Sequence, residues 1–200
     1  MKVFKATDSD MSCHMGKGKF QYHLGVTETA EKSKCGDTGL HACEYVLDCV
    51  TYYRMDGKNR FFEAEAAGDI AEDGVNTRIS CTELTLIREL CMKDIAREAI
   101  RYMVKHPKRE GWKHKSGMAV VSTDSAAIDA RDGIAIARGK NPRVKGCKGA
   151  HVGWLQETET GITKARLMTV GGILEPETWY TIEEAEEAIR RAGDETSADT

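Results

Sequence analysis

The chain has 200 residues, 40% of them hydrophobic and 30% charged, with 29 Lys and Arg against 32 Asp and Glu. That is enough apolar material for a core, so folding needs neither a metal nor disulfides. A net charge of −3 excludes a wholly basic nucleic-acid binder and a disordered acidic chain. No apolar run approaches the roughly 20 residues of a membrane span, and the N-terminus lacks the apolar stretch of a signal peptide. No membrane association is expected.

In chain order, residues 2–6 alternate as a strand with Val3 on the buried face, and a polar loop covers 8–19. Residues 20–22 resume an extended pattern, and Gly36 to Gly39 form a turn. Val46, Leu47, Val50 and Tyr53 have helical spacing, which predicts a helix over 42–53. A turn at Asp56-Gly57-Lys58-Asn59 precedes an alternating strand over 61–67, and a further turn at 73–76 precedes a strand over 78–87. Leu90, Ile95, Ala99, Tyr102 and Met103 form the apolar stripe of a helix over 92–105, broken by Pro107.

Between Arg97 and Lys115 stand seven Lys and Arg and two acids, a local charge of +5 in an acidic protein. Ordinary helix faces are charged, so the bland reading is a solvated surface. The functional reading makes Arg101, Lys105, Lys108, Arg109, Trp112, Lys113 and Lys115 a binding site. The cations would grip phosphates or an acidic protein, and Trp112, exposed in its loop, would be the anchor.

Residues 116–139 can be written in blocks of eight that align Gly117, Ser125 and Gly133, then Ala119, Ala127 and Ala135, then Val120, Ile128 and Ile136. Small and β-branched columns predict a short β-roll in which Val120, Ile128 and Ile136 stack. Strands over 151–156 and 162–170 follow around a Thr160-Gly161 turn. A helix over 182–191 begins with the capping box Thr181-x-x-Glu184, and an acidic tail follows.

The fold class is therefore α+β: an N-terminal mixed sheet with helices (1–90), a connecting helix and basic loop (91–115), a β-roll repeat (116–149), a C-terminal β-hairpin plus helix (150–193) and an acidic tail (194–200).

Seven cysteines, an odd number without C-x-x-C, suit reduced thiols. Cys35, His41, Cys43 and Cys49 approach a ligand cluster, but their spacing is poor for structural zinc, and no metal, disulfide or cofactor is expected. Cys13, His14, His41 and Cys43 could supply a thiol nucleophile. Near Cys13, however, only Lys17 and Lys19 would stabilise a thiolate. Gly16-x-Gly18 lacks the Lys-Ser/Thr pair of a phosphate loop. Glu63 and Glu65, at i and i+2, share one strand face and are the candidate carboxylates of a glycosyl-transferring enzyme. With Phe62, Ala64 and Ala66 on the opposite face, they equally suit the solvated side of a half-exposed strand.

Asp8-x-Asp10-x-x-Cys13, Phe20-Gln21-Tyr22-x-x-Gly25, Gly39-Leu40-His41-x-Cys43-Glu44, Tyr52-Tyr53, Glu63-x-Glu65-Ala66-x-Gly68-Asp69-Ile70, the small-residue repeat and Pro176-x-Thr178-Trp179-Tyr180 resemble a family of small phage- and prophage-encoded proteins, mostly of unknown function. The basic 105–115 stretch stands outside that pattern. The resemblance implies an accessory protein of the host bacterial cytoplasm that binds and inhibits a host defence complex, of the anti-CRISPR type. Its partner would be a host protein or ribonucleoprotein complex, with nucleic acid reached through the basic stretch. It supplies no catalytic motif. Gly39-Leu40-His41, Tyr52-Tyr53 and the following strand also resemble small ADP-ribosyltransferase-like folds, which would give Glu63 and Glu65 a catalytic role. A structural or virion-associated module is the third class.

Overall fold

The computed structural model describes residues 1–14 and 18–198. The chain is α+β, dominated by strands, and divides into two units, Met1–Cys91 and Met92–Thr200.

The first unit contains β1 (Lys2–Asp8), β2 (Ser12–Cys13), β3 (Phe20–Gln21), β4 (Thr27–Thr29), β5 (Leu40–Cys43), a 3-10 helix (Val46–Thr51), β6 (Asn59–Glu72) and β7 (Arg78–Glu89). β1 pairs with β5, β5 with β7, β7 with β6 and β6 with β1, all antiparallel, so four strands close into a barrel. β1 buries Val3 through Thr7 on both faces rather than alternating, because one face lines the barrel and the 3-10 helix packs on the strand as well. The barrel core gathers Val3, Tyr22, Leu40, Ala42, Phe62, Ala64, Ala66, Ile79, Cys81, Leu84 and Leu86. β6 must serve two neighbours. It meets β1 over its first half and β7 over most of its length, with two register shifts against β7. At the second shift Gly68 has φ 69°, and a Cβ there would strike the Thr82 hydroxyl.

The helix expected over 42–53 is corrected. Its first residues are strand β5, and only a 3-10 turn follows. The reason is tertiary: Asp48 is buried and accepts hydrogen bonds from the Thr77 backbone N–H (2.9 Å) and hydroxyl (2.6 Å), and the Tyr45 N–H donates to that same hydroxyl (2.9 Å). These bonds pin the turn to the start of β7 and outweigh a short segment's weak helix preference.

The second unit contains α1 (Met92–Lys105), β8 (His114–Lys115), β9 (Ala119–Ile128), β10 (Ile134–Gly146), β11 (His151–Thr158), β12 (Gly161–Thr169), β13 (Tyr180–Thr181) and α2 (Ile182–Ala198). The sheet order is β12-β11-β10-β9-β8, with β13 beside β10. β9, β10 and β11 are parallel, and the expected hairpin is β11–β12. The stretches read as connecting helix, repeat and hairpin thus form one unit, in which α1 packs on β10, β11 and β12. Gly153 allows that approach, since a Cβ there would lie 2.7 Å from Ile100 Cδ1.

Register corrects the eight-residue columns. Ile134 lies opposite Ala119 and His151 opposite Ile134, offsets of fifteen and seventeen residues. Val120 therefore faces Ala135, Ile136 faces Val121 and Ile128 faces Gly146, so Val120, Ile128 and Ile136 do not form one column. β9 and β10 pair in two stretches, 119–123 with 134–138 and 125–128 with 143–146. A straight β9 would span about 30 Å, whereas the six Cα steps from Ile128 to Ile134 reach at most about 23 Å. The strands must fold over between those stretches, where Asp124 has φ 61° and Gly139 leaves no room for a Cβ beside the Asp124 carboxylate. The fold encloses Ala126, Ile128, Ala135, Ala137, Val144, Val152 and Trp154, closed by Leu174, Ile182 and Ala185. α2 starts with the expected capping box: the Thr181 N–H donates to Glu184 and the Glu184 N–H to Thr181 Oγ1. It continues to Ala198, over most of the segment read as a tail. Residues 199 and 200 of that tail lie outside the described residues. Among the described residues no helix is long and apolar enough to cross a membrane.

Candidate functional site: a cationic face and a barrel pocket

The basic stretch occupies the C-terminal end of α1 and the loop that leads to β8. Lys105, Lys108, Lys113 and Lys115 are exposed and make no ion pair among the described residues. Arg101 is exposed too, but its Nη1 donates at 2.8 Å to Glu98, which is buried. Arg109 lies 5.1 Å over the Tyr102 ring, and Tyr102 stacks on His106 at 4.4 Å.

Trp112 is not the exposed anchor that the sequence predicts. It is half-buried, with the Arg138 guanidinium 5.0 Å from its ring centroid and Lys113 Nζ 5.7 Å away. Arg138 is itself buried on β10. Its Nε donates to Glu157 at 2.6 Å and its Nη2 to the Pro107 carbonyl, so one guanidinium holds the loop, the β11 end and Trp112 together. The site therefore divides: Lys105, Lys108, Lys113 and Lys115 face solvent, while Arg101, Arg109 and Trp112 make contacts within the unit. The exposed tryptophan is Trp179, under Arg143 and Lys145.

Glu63 and Glu65 do share a strand face. Glu63 is half-buried and bonded to Lys2 (3.1 Å) and Arg88 (2.9 Å), and Glu65 is exposed. Neither lines the barrel pocket described next.

That pocket, of about 430 Å³, lies in the first unit. It gathers Cys13, His41, Cys43 and Cys49, residues the sequence singles out, with Phe4, Lys5, Phe20, Tyr22, Leu40, Tyr52, Tyr53, Arg78 and the Gly36–Gly39 turn. His14 is exposed and bonded to Asp8 instead. Lys17, expected near Cys13, and Gly16 lie outside the described residues, and Lys19 pairs with Asp10 at 2.5 Å.

The Cys43 thiol is a poor nucleophile. A hydrogen bond with Cys49 and then burial push the Cys43 thiol up, and the Cys49 thiol donates to the Phe4 carbonyl at 3.3 Å. The hydrogen bond and burial both favour the neutral Cys43 thiol over its thiolate. Burial, then Lys5 and Arg78, hold His41 below its usual value, so its ring is neutral near pH 7. Its Nε2 accepts the Gly36 N–H at 3.0 Å, which puts the neutral ring's proton on Nδ1. Cys35 lies near Arg78, its thiol donating weakly to that residue's carbonyl at 3.6 Å. Among the described residues no group of three or more His, Cys, Asp or Glu could hold a metal ion.

Sequence reasoning missed Lys5, Tyr53 and Arg78 as members of a site. Lys5 sits within an alternating strand, where a lysine reads as solvent-facing, and no local signal marks it otherwise.

Residues 1–98, the barrel unit and the first half of α1, are similar to a family described as a domain of unknown function, DUF7666. No curated protein and no solved structure matches the chain.

Proposed function

We propose that this protein acts by binding a macromolecular partner through the cationic face of its second unit. The observation that carries the reading is the set of exposed lysines, Lys105, Lys108, Lys113 and Lys115, without an ion pair among the described residues, on a segment that Arg138 anchors to the sheet. Unpaired like charges held together add nothing to stability, but they attract an acidic surface and speed encounter. A loop fixed before binding also loses less entropy on contact. The folded-over parallel strands, read as a β-roll of fifteen- to eighteen-residue rungs, serve as the rigid platform.

The resemblance to phage proteins supports a host defence complex, such as a CRISPR effector, as the partner, engaged stoichiometrically in the bacterial cytoplasm. The test is plaquing efficiency on a CRISPR-immune strain. Expression of the chain should restore plaques. Joint replacement Lys105→Glu, Lys108→Glu and Lys113→Glu should abolish that effect with the circular dichroism unchanged, since exposed charges contribute little to stability. No protection by the unaltered chain removes the defence reading, and full protection by the triple variant moves the contact elsewhere. Loss of the captured partner on nuclease treatment, with a steep salt dependence, would identify nucleic acid as the contact.

A further inference from the structure

The geometry points to a second binding site, independent of the cationic face: the barrel pocket takes a small monoanionic carboxylate with a flat apolar body.

Charge supplies the first argument. Lys5 is only 6% exposed. Its ammonium donates to the His41 carbonyl at 2.8 Å and sits 5.0 Å from the Tyr22 ring centroid, with no carboxylate partner among the described residues. A buried cation is ordinarily paired with an anion. An ammonium has three donors, and one carbonyl occupies one of them. Arg78, at the same pocket, is already neutralised by Asp73 and lies 5.6 Å over Tyr52. His41 is neutral for the reasons given above. Asp37 is exposed at the rim. Among the groups that line the pocket, Lys5 is thus a buried cation with no carboxylate partner among the described residues, while the buried Asp48 carboxylate does not line it and is bonded to Thr77; a single such cation suits a monoanion better than a dianionic phosphate.

An unpaired hydroxyl supplies the second. Tyr53 is 7% exposed, and its Oη is buried without a hydrogen-bond partner among the described residues. Burial holds the Tyr53 hydroxyl neutral, above its ordinary value, and the nearby His14 amide makes no hydrogen bond of proper geometry to it. Buried polar atoms left orphaned are rare and costly, and a ligand oxygen would satisfy this one.

Shape supplies the third. A volume of about 430 Å³ falls in the range of small-molecule sites, and Phe4, Phe20, Tyr22, Leu40 and Tyr52 give it apolar, mostly aromatic walls.

The experiment is calorimetric titration of the full chain with three probes of the same body: 2-naphthoate, neutral 2-naphthamide and dianionic 2-naphthyl phosphate. Saturable binding of 2-naphthoate is expected, about tenfold or more tighter than 2-naphthamide. Lys5→Met should weaken 2-naphthoate about tenfold or more and leave 2-naphthamide unweakened. Tyr53→Phe, which keeps the ring, should weaken 2-naphthoate without altering the fold. No saturation at the solubility limit overturns the site, as does equal affinity for acid and amide. Preference for the phosphate overturns the monoanion. Unchanged 2-naphthoate binding by folded Lys5→Met overturns the role of Lys5. The acid–amide comparison uses the unaltered chain and so does not depend on any variant folding.

Discussion

Gly153 provides a direct test of how α1 is seated. It is buried on β11, opposite Ile136, and a Cβ added there would lie 2.7 Å from Ile100 Cδ1 and 3.2 Å from Ile136 Cγ1. Its φ lies outside the left-handed region, so alanine meets no backbone strain and the perturbation is steric. Overpacking a dense core costs about 1–3 kcal/mol. The loss of unfolded-state freedom returns about 0.4–1 kcal/mol. Gly153→Ala should therefore destabilise the second unit by about 0–2.6 kcal/mol, the difference of those two effects, with the low end reached where the Ile100 Cδ1 tip swings aside. Ile100→Val removes the methyl in conflict. Alone it should cost about 0.5–1.5 kcal/mol, but in the Gly153→Ala background it should cost almost nothing. All three tryptophans, Trp112, Trp154 and Trp179, lie in the second unit, so urea unfolding followed by tryptophan fluorescence reads that unit. A double variant additive to within about 0.3 kcal/mol would refute this account of the helix–sheet contact.

Other expectations follow from single contacts. Arg138→Met should destabilise the second unit by about 2–3 kcal/mol, less than a fully buried pair because Glu157 is partly solvated; it should also open Trp112 to acrylamide quenching, and unchanged quenching would show that Arg138 does not cover the ring. Asp48→Ala leaves the buried Thr77 N–H unpaired and should cost the barrel about 1–3 kcal/mol, read as a shift in its proteolysis midpoint. Burial, then Lys93, holds His151 below its ordinary value of 6.5. The unfolded chain thus binds more protons below that value, so stability is full above about pH 6.5 and falls as the medium acidifies toward the depressed folded value. His151→Gln should flatten the dependence of the urea midpoint between pH 7 and 5, and an unaltered slope would assign it to other groups. Exposed Cys91 should react with a thiol reagent first and buried Cys43 and Cys81 last, since Cys43 is held neutral by Cys49 and by burial, and burial pushes Cys81 up to about 11. Alkylation of native Cys43 at the rate of Cys91 would contradict that ordering.

Much of the local structure was legible in the residues. α1 was readable because a 3.6-residue stripe of Leu, Ile, Ala and Met is a local signal that ends at Pro107. The same holds for the β11–β12 hairpin with its Thr160-Gly161 turn and for the Thr181–Glu184 cap. The cationic run was readable as well, since charge adds along the chain whatever the fold. What the tertiary structure alone decided was pairing between distant segments. The barrel closes because β6 meets both β1 and β7, a choice that fixes Lys5 inside a wall rather than in solvent. The helical spacing of Val46, Leu47 and Val50 lost to the long-range bonds between Asp48 and Thr77. Repeated small residues predicted stacked strands, but composition recurring every eight residues cannot show where a strand folds over, and the register runs at fifteen, seventeen and eighteen. Trp112 read as an anchor because its loop offers no apolar neighbour to cover it; Arg138, twenty-six positions later, lies over the ring together with Lys113. The pocket is the extreme case: Lys5, His41, Tyr53 and Arg78 come from four separate elements and connections, and only barrel closure brings their side chains to one cavity.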